Sequence, residues 1–427
     1  MKKVLRKFVL WLLTKMAKFR LRRFKGKIIS VTGSIGKTST KEAIYAILNT
    51  QFKVKKSKKS MNSEFGLPLT ILDIESGYSS ATKWSWFLIK AAIHCFMKEY
   101  SEILLLEMGV DKPGDMDFLI SILKPDIAII TNISPVHMGE KQFPSLQAIF
   151  DEKAKLVAAV KDSGLAVLNL DNPFTAGLAK KLMKKNLVSY GETRDAEFRA
   201  TIVKTSLEGT SFTLHHENKR HEVSLNAVGH FQHYVVLPAI SCAVKLGMSV
   251  EEAILALERF KLPPGRMNLI PAKKDGAQIL DSTYNSSPES LKEALHLLKE
   301  LGGEKKRKIA VIGDMNELGE QSQVLHEIMG ELVPKCADLL ITVGNRAKII
   351  ADKAEELGFN KDHVFSFKTV KSAIDFYEEK IKKDDLILVK GSQNNVRLER
   401  FVKAIMAHPE NAKDLLVRQD RYWLDKL

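Results

Sequence analysis

A chain of 427 residues, 45% hydrophobic and 27% charged, has the balance of a folded protein of two or three domains, which excludes a fibrous or disordered chain. Cys95, Cys242 and Cys336 lie far apart, which excludes a disulfide scaffold and a cysteine metal cluster and fits a reducing compartment. The net charge of +15 is local: residues 1–27 carry eleven Lys or Arg and no acid, leaving +4 for the rest, so nucleic acid is not the expected partner.

Within Met1–Lys27, Val4, Leu5, Phe8, Val9, Leu12, Leu13 and Met16 fall at helical spacing. The longest apolar run, Phe8–Leu13, is too short to span a bilayer. Lys15 interrupts it and no small-residue cleavage site follows, which argues against a signal peptide. Two readings stay open: a basic amphipathic helix on an anionic membrane surface, or a helix docked on the protein's own core. The expected location is cytoplasmic, on the cytoplasmic face of the membrane under the first reading, and the expected state is a monomer.

Ile28, Ile29 and Val31 form an apolar, largely β-branched run that climbs into Thr32-Gly33-Ser34-Ile35-Gly36-Lys37-Thr38-Ser39, with a helical pattern from Lys41. Strand, glycine turn and helix make a phosphate cradle: backbone N–H groups close around the anion and the helix start adds its positive dipole end. Lys37 is expected to reach the outer phosphates and the Thr38 hydroxyl to hold Mg²⁺. Val31 stands where the usual loop has its first glycine, so this is a short variant of an ATP site comprising Gly33, Ser34, Ile35, Gly36, Lys37, Thr38 and Ser39.

Beyond it come a lysine-rich loop over Lys53–Lys59, the stretch Ser60–Pro68, and an apolar, aromatic segment, Trp84–Tyr100, that reads as a buried helix, with a membrane-facing patch as the alternative. A wholly apolar strand, Ile103–Leu106, ends in Glu107, where an α/β nucleotide enzyme places a metal ligand. A second strand, Ile127–Thr131, runs on to His137, a helix from about Ser145 carries Lys153, and the strand Ala166–Leu168 leads to Asp171. Alternation over Ala196–Leu225 predicts a small antiparallel portion. Pro263-Pro264-Gly265-Arg266 marks a domain boundary. After it, Ile309–Ile312, Leu339–Val343 and Leu386–Val389 are strands running into Gly313, Gly344 and Lys390-Gly391. The expected fold class is α/β: a central P-loop ATPase domain with a mostly parallel sheet over 28–265, then a C-terminal Rossmann-like α/β domain over 266–427.

From about residue 28 to 405 the series T-G-S-I-G-K-T, N-S-E-F-G-L-P, E-M-G, T-N-I-S-P-V-H, D-E-K-A-K-L-V with N-L-D, P-G-R, D-S-T-Y-N-S-S-P-E-S, G-D-M-N-E-L-G and V-K-G-S resembles the Mur ligase family. The D-x-x-Y-N-x-x-P-x-S and G-D-M-x-E-L-G motifs, with His326 after them, resemble its branch that joins D-alanyl-D-alanine to a muramoyl-tripeptide of the peptidoglycan precursor. The resemblance implies an ADP-forming amide ligase. ATP phosphorylates the substrate carboxylate, the incoming amine attacks the acyl phosphate, and phosphate leaves. Two anions must meet, so positive charge must be concentrated there. Lys37, with Mg²⁺ on Thr38 and Glu107, would supply it. The resemblance places a second Mg²⁺ on Glu107, His137 and a carbamylated lysine matched by Lys153, with Lys155 as runner-up. Asp281 and Asn285 match positions around the base and ribose, and Arg266 matches a hinge arginine that meets phosphates. The strand ends at Gly313, Gly344 and Lys390 would receive the amine.

Three features depart from the pattern. The ATP loop starts near residue 30, where the family has a separate UDP-binding domain first, so a lipid-linked or other non-UDP carboxylate is an alternative substrate, as is a partner that supplies the domain. The family's G-x-H-x-x-x-N is matched by Gly229–Val235, with Phe231 and Val235 at the His and Asn positions. Lys155 stands where a glutamate is common. Rival readings are a folylpolyglutamate synthetase, which lacks G-D-M-x-E-L-G, and a zinc-containing wall ligase, which three scattered cysteines cannot make. A third is a non-catalytic, membrane-tethered nucleotide-binding protein, against which Glu107, His137 and Lys153 stand together.

Overall fold

Apolar runs without polar alternation belong to strands covered on both faces, and two sets of them organise the chain. The computed structural model describes residues 3–57, 61–74, 81–136, 138–139, 142–182, 186–391 and 396–425. Ser60, His137 and Ser392 of the motifs above lie outside them.

The first set follows helix α1 (Lys3–Arg22) and comprises β1 (Lys27–Thr32), α2 (Lys37–Leu48), β2 (Val54–Lys56), α3 (Gly66–Leu72), α4 (Ala81–Phe96), β3 (Ile103–Glu107), α5 (Asp115–Ile122) and β4 (Ile127–Ile130). It continues with α6 (Leu146–Ala158), β5 (Leu165–Asn169), α7 (Pro173–Ala179), β6 (Leu187–Gly191), β7 (Phe198–Ser206), β8 (Gly209–His216), β9 (Lys219–Leu225), α8 (His233–Lys245) and α9 (Val250–Ala256). Among the described residues the strand order is β2-β3-β1-β4-β5-β6-β7-β8-β9. Pairs are parallel as far as β7 and antiparallel through β8 and β9. Successive side chains of β1 point to opposite faces. Ile29 and Val31 enter a core with Ile44 and Ile47 of α2 and Val236 and Ile240 of α8, while Ile28 joins a second core with α1 and α3. The helix after the glycine turn starts at Lys37, earlier than the apolar pattern from Lys41 indicates, with Gly36 as its N-cap.

The second set comprises β10 (Asn268–Pro271), β11 (Gln278–Ser282), α10 (Pro288–Gly302), β12 (Lys308–Gly313), α11 (Ser322–Leu332), β13 (Leu339–Val343), α12 (Ala347–Glu356), β14 (Val364–Phe367), α13 (Val370–Tyr377), β15 (Leu386–Lys390) and α14 (Glu399–Ile405). Their order is β10-β11-β15-β12-β13-β14. Every pair is parallel except β10 with β11. One face packs under α10 to α12 and the other under α13 and α14.

Two local readings change. Helix α4 is not a buried helix: Ala91 and Cys95 face the core, but Trp86, Ile89, Ile93 and Phe96 are exposed. Composition reports apolarity, not whether a neighbour covers it. Helix α1 docks on the protein's own core through Val9, Leu13 and Ala17. Arg20 fixes it there, donating to the Ile71 carbonyl at 2.9 Å and to Glu99 at 3.0 Å. Leu13 is 0% exposed, so Leu13→Ala should lower stability by about 3 kcal/mol through lost transfer energy and a residual cavity. A urea titration reads this as a lower midpoint; an unchanged midpoint would mean that α1 is not part of the folded core.

Candidate functional site

In open α/β sheets ligands collect at the carboxyl ends of strands. The ends of β1, β3, β4 and β5 meet those of β11 and β15 around a cleft of about 660 Å³. Ser34–Thr40, Glu107, Asp111, Asn132 and Asp171 line it from one side, and Arg266, Tyr284, Asn285 and Lys390 from the other.

The phosphate loop is pinned by the chain leaving β4. The Thr131 hydroxyl donates to the Ile35 carbonyl at 2.6 Å, and the Ser34 N–H donates to the Asn132 carbonyl at 2.7 Å. Gly33 has φ 145° and a Cβ there would lie 2.0 Å from Thr131 Oγ1, so only glycine fits. Lys37 folds back over the loop, its ammonium donating to the carbonyls of Gly33 (2.8 Å) and Ser34 (3.0 Å). Burial lowers its pKa, with Glu107 acting the other way. From the second half, Arg266 reaches across to donate to the Thr38 hydroxyl at 3.1 Å, its guanidinium stacked 4.0 Å over the Tyr284 ring.

Glu107 is 1% exposed. Its Oε1 accepts from the Asn62 amide at 2.8 Å, and the Lys41 ammonium stands 3.7 Å from Oε2. Oε2 accepts no hydrogen bond. A buried carboxylate oxygen without a donor is costly unless a cation takes it, and hard oxygen donors are what Mg²⁺ requires. Glu107 and the Thr38 hydroxyl therefore fit a divalent cation. Among the described residues no three His, Cys, Asp or Glu side chains form a ready metal cage.

Lys153, on α6, is 1% exposed. Burial drives its pKa well below the usual lysine value, the Lys37 charge lowers it further, and Asp111 and Glu152 oppose this. It does not line the cleft. Lys155, two residues on, points away and pairs with Asp117 at 2.6 Å and Glu152 at 2.7 Å, so Lys153 is the buried amine of the pair. Lys390 is pushed down to about 7 by burial and by Arg266; its ammonium meets the Asn285 carbonyl.

Asp281, expected at the nucleotide, does not line the cleft. Its carboxylate is fully buried and accepts from the Thr283 hydroxyl at 2.6 Å and the Thr283 N–H at 3.1 Å, because its position on β11 turns it into the fold. Burial raises its pKa to about 6. His137 lies outside the described residues.

Sequence reasoning missed Asn62, Asp111 and Tyr284 as site residues. Asn62 and Tyr284 sit inside motifs already singled out, and that was the available signal. No signal joins His230 to Glu293, which meet at 2.7 Å across the two halves. That hydrogen bond raises the His230 pKa and lowers that of Glu293. A histidine raised in the folded state adds stability that is fully present below its unfolded value and lost as pH rises through the folded one. The contact should therefore weaken as pH rises above the ordinary histidine value of 6.5. In Glu293→Gln the NMR titration of His230 should move to lower pH; an unmoved titration would show that the pair does not form in solution.

The sequence pattern of the Mur ligase middle domain matches residues 31–243, and that of the Mur ligase, glutamate ligase domain matches residues 265–393. The UDP-N-acetylmuramoyl-tripeptide–D-alanyl-D-alanine ligase of Bacillus subtilis is 31% identical over 398 residues, covering 93% of this chain and 79% of that one. The MurF ligase of Thermotoga maritima, solved in complex with ADP, superposes with a TM-score of 0.75 at 25% identity, over 95% of this chain and 84% of that one. The fold alone is shared with the folylpolyglutamate synthase of Thermotoga maritima, at a TM-score of 0.63 and 15% identity over 97% and 95% of the two chains. With two family patterns covering most of the chain and a relative 31% identical over 93% of it, the chain belongs to the Mur ligase family.

Proposed function

We propose that the chain is an ATP-dependent, ADP-forming ligase that joins D-alanyl-D-alanine to a UDP-linked muramoyl-tripeptide in peptidoglycan synthesis. The observation that carries it is the buried Lys153 amine, whose pKa burial and the Lys37 charge lower, since a simple nucleotide binder has no use for it. The likeness to the Bacillus subtilis ligase over most of both chains supports the substrates.

In this reading Lys37 leaves the Gly33 and Ser34 carbonyls for the β- and γ-phosphates of ATP. Arg266 leaves Thr38 for the same oxygens, and the two cations let an anionic carboxylate approach the γ-phosphate. Thr38 and Glu107 would hold Mg²⁺, which supplies further positive charge against the phosphate oxygens. The carboxylate displaces ADP to give an acyl phosphate. The dipeptide amine then attacks the acyl carbon, and phosphate leaves as the amide forms. On the second half Asn285 and Lys390 line the cleft, where they would meet the nucleotide and the incoming amine, whereas the strand ends expected there at Gly313 and Gly344 do not line it.

A neutral amine adds to CO₂, releasing a proton and leaving a carbamate with carboxylate-like oxygens. Burial moves Lys153 toward that character, its new negative charge would sit beside Lys37, and with Glu107 and His137 it would complete a second Mg²⁺ site. The working divisions are 28–265 for the ATP-binding part and 266–427 for the C-terminal part, in a monomer of the cytoplasm whose residues 1–27 contact the membrane.

Phosphate release from purified protein tests the reading. It should require ATP, D-alanyl-D-alanine and the UDP-linked tripeptide together; release only with a lipid-linked tripeptide would move the acyl substrate to the membrane. Lys153→Ala should cut turnover by about a hundredfold or more, with partial rescue by added short carboxylates. Full activity without rescue would remove the carbamate.

A further inference from the structure

Helix α1 has two apolar faces. Val9, Leu13 and Ala17 are buried against the body, while Val4, Phe8, Trp11 and Phe19 project into solvent at helical spacing. Helix α4 repeats the arrangement: Trp86, Ile89, Ile93 and Phe96 are each more than half exposed. The two stripes join. The Phe19 and Phe96 rings pack edge-on at 5.2 Å, and Arg23 donates to the Phe96 carbonyl at 2.8 Å. Among the described residues, eleven of the eighteen large apolar side chains left exposed lie on α1, α4 and the turn after α4. Single exposed apolar residues are ordinary, whereas a joined stripe on two helices marks a contact surface.

Charge identifies the partner. Residues 1–27 and 81–100 together hold thirteen of the fifteen net positive charges. Lys15 stands over Trp11 (5.9 Å), Lys90 over Trp86 (5.5 Å) and Lys98 over Tyr100 (5.4 Å), so ammonium groups rim the aromatic surface. Carboxylates beside this surface are paired with cations: Glu64 with Arg6 at 2.5 Å on the surface, and the more buried Glu99 with Arg20 at 3.0 Å and Lys55 at 2.8 Å. A second copy of the chain would bring the same cations face to face. An anionic bilayer offers hydrocarbon to the stripes and headgroup charge to the rim. No helix among the described residues is long and apolar enough to cross it.

We propose that the outward faces of α1 and α4 form one docking surface that seats the folded chain on an anionic lipid membrane, both helices lying in the interface. This deepens the contact assigned above to residues 1–27, and rests on the ligase reading only for what the location serves. The surface borders the cleft: Arg6 also stands 5.3 Å over the Phe65 ring, and Asn62, three residues before Phe65, holds Glu107. Docking would set the phosphate-binding cleft at the membrane border.

The test is co-sedimentation of the full chain with vesicles of phosphatidylcholine, alone or mixed with phosphatidylglycerol. Wild type should pellet only with the mixed vesicles, release at high salt, and show blue-shifted tryptophan emission. Ile89→Glu with Ile93→Glu should weaken binding about tenfold or more, with circular dichroism and phosphate release from soluble substrates unchanged. Lys15→Glu with Lys90→Glu, which leaves the apolar surface intact, should give a comparable loss. The surface is refuted by no pelleting at low salt, by equal pelleting with neutral vesicles, or by variants that bind as wild type. It is also refuted if the variants only split a dimer seen by light scattering. Vesicle binding without phosphate release would remove the ligase reading and leave this surface standing; phosphate release without vesicle binding would do the reverse.

Discussion

Like charges repel, and this fold gathers Lys37, Lys41, Lys153, Arg266 and Lys390 around one cleft. Each is accommodated differently. Lys37 is folded onto loop carbonyls and Lys41 onto the Ser57 carbonyl, with Glu42 and Glu107 near it. Arg266 lies on the face of Tyr284. Lys153 and Lys390 are driven toward the neutral amine by burial. The arrangement suits polyphosphate and carboxylate, whose charge the cleft is shaped to offset.

The two sheets are held together at that same cleft. Arg266 meets Thr38, His230 meets Glu293, and the Met138 N–H donates to the Glu317 carbonyl at 3.2 Å. Beside an apolar seam in which Val228, Leu207 and Phe231 pack against the core of the second half, the halves are thus joined by groups that anionic ligands also compete for. Bringing substrate in and loosening or tightening the two halves are therefore linked events.

Much of this was legible where chemistry is local. The β1 run, the glycine turn and Lys37 lie within a dozen residues, and their order alone announces strand, cradle and helix. The helix start near Ser145 and the apolar strand ending in Glu107 were likewise readable. What was not legible depends on partners far along the chain. Lys153 and Lys155 differ by two positions, yet helical rotation buries one and sends the other to Asp117. Asp281 looked available in its motif, but β11 turns it into the core. Helix α4 looked buried because its residues are apolar, and only the packing shows which face is left open. The cross-sheet pairing of His230 with Glu293 spans 63 positions with no pattern to flag it.

The loop that carries Tyr284 is itself held from a distance. Arg418 donates to the carbonyls of Thr283 at 3.1 Å and Tyr284 at 2.6 Å, and its guanidinium is anchored by the buried Glu399, which also binds Arg397. The seat of Arg266 thus waits on a residue made 134 positions later. As the chain emerges from the ribosome, the phosphate loop can fold early, while the clamp facing it stays unassembled until the following segment arrives. Maturation of the site is ordered in time by chain direction, with the nucleotide cradle first and its closing arm last.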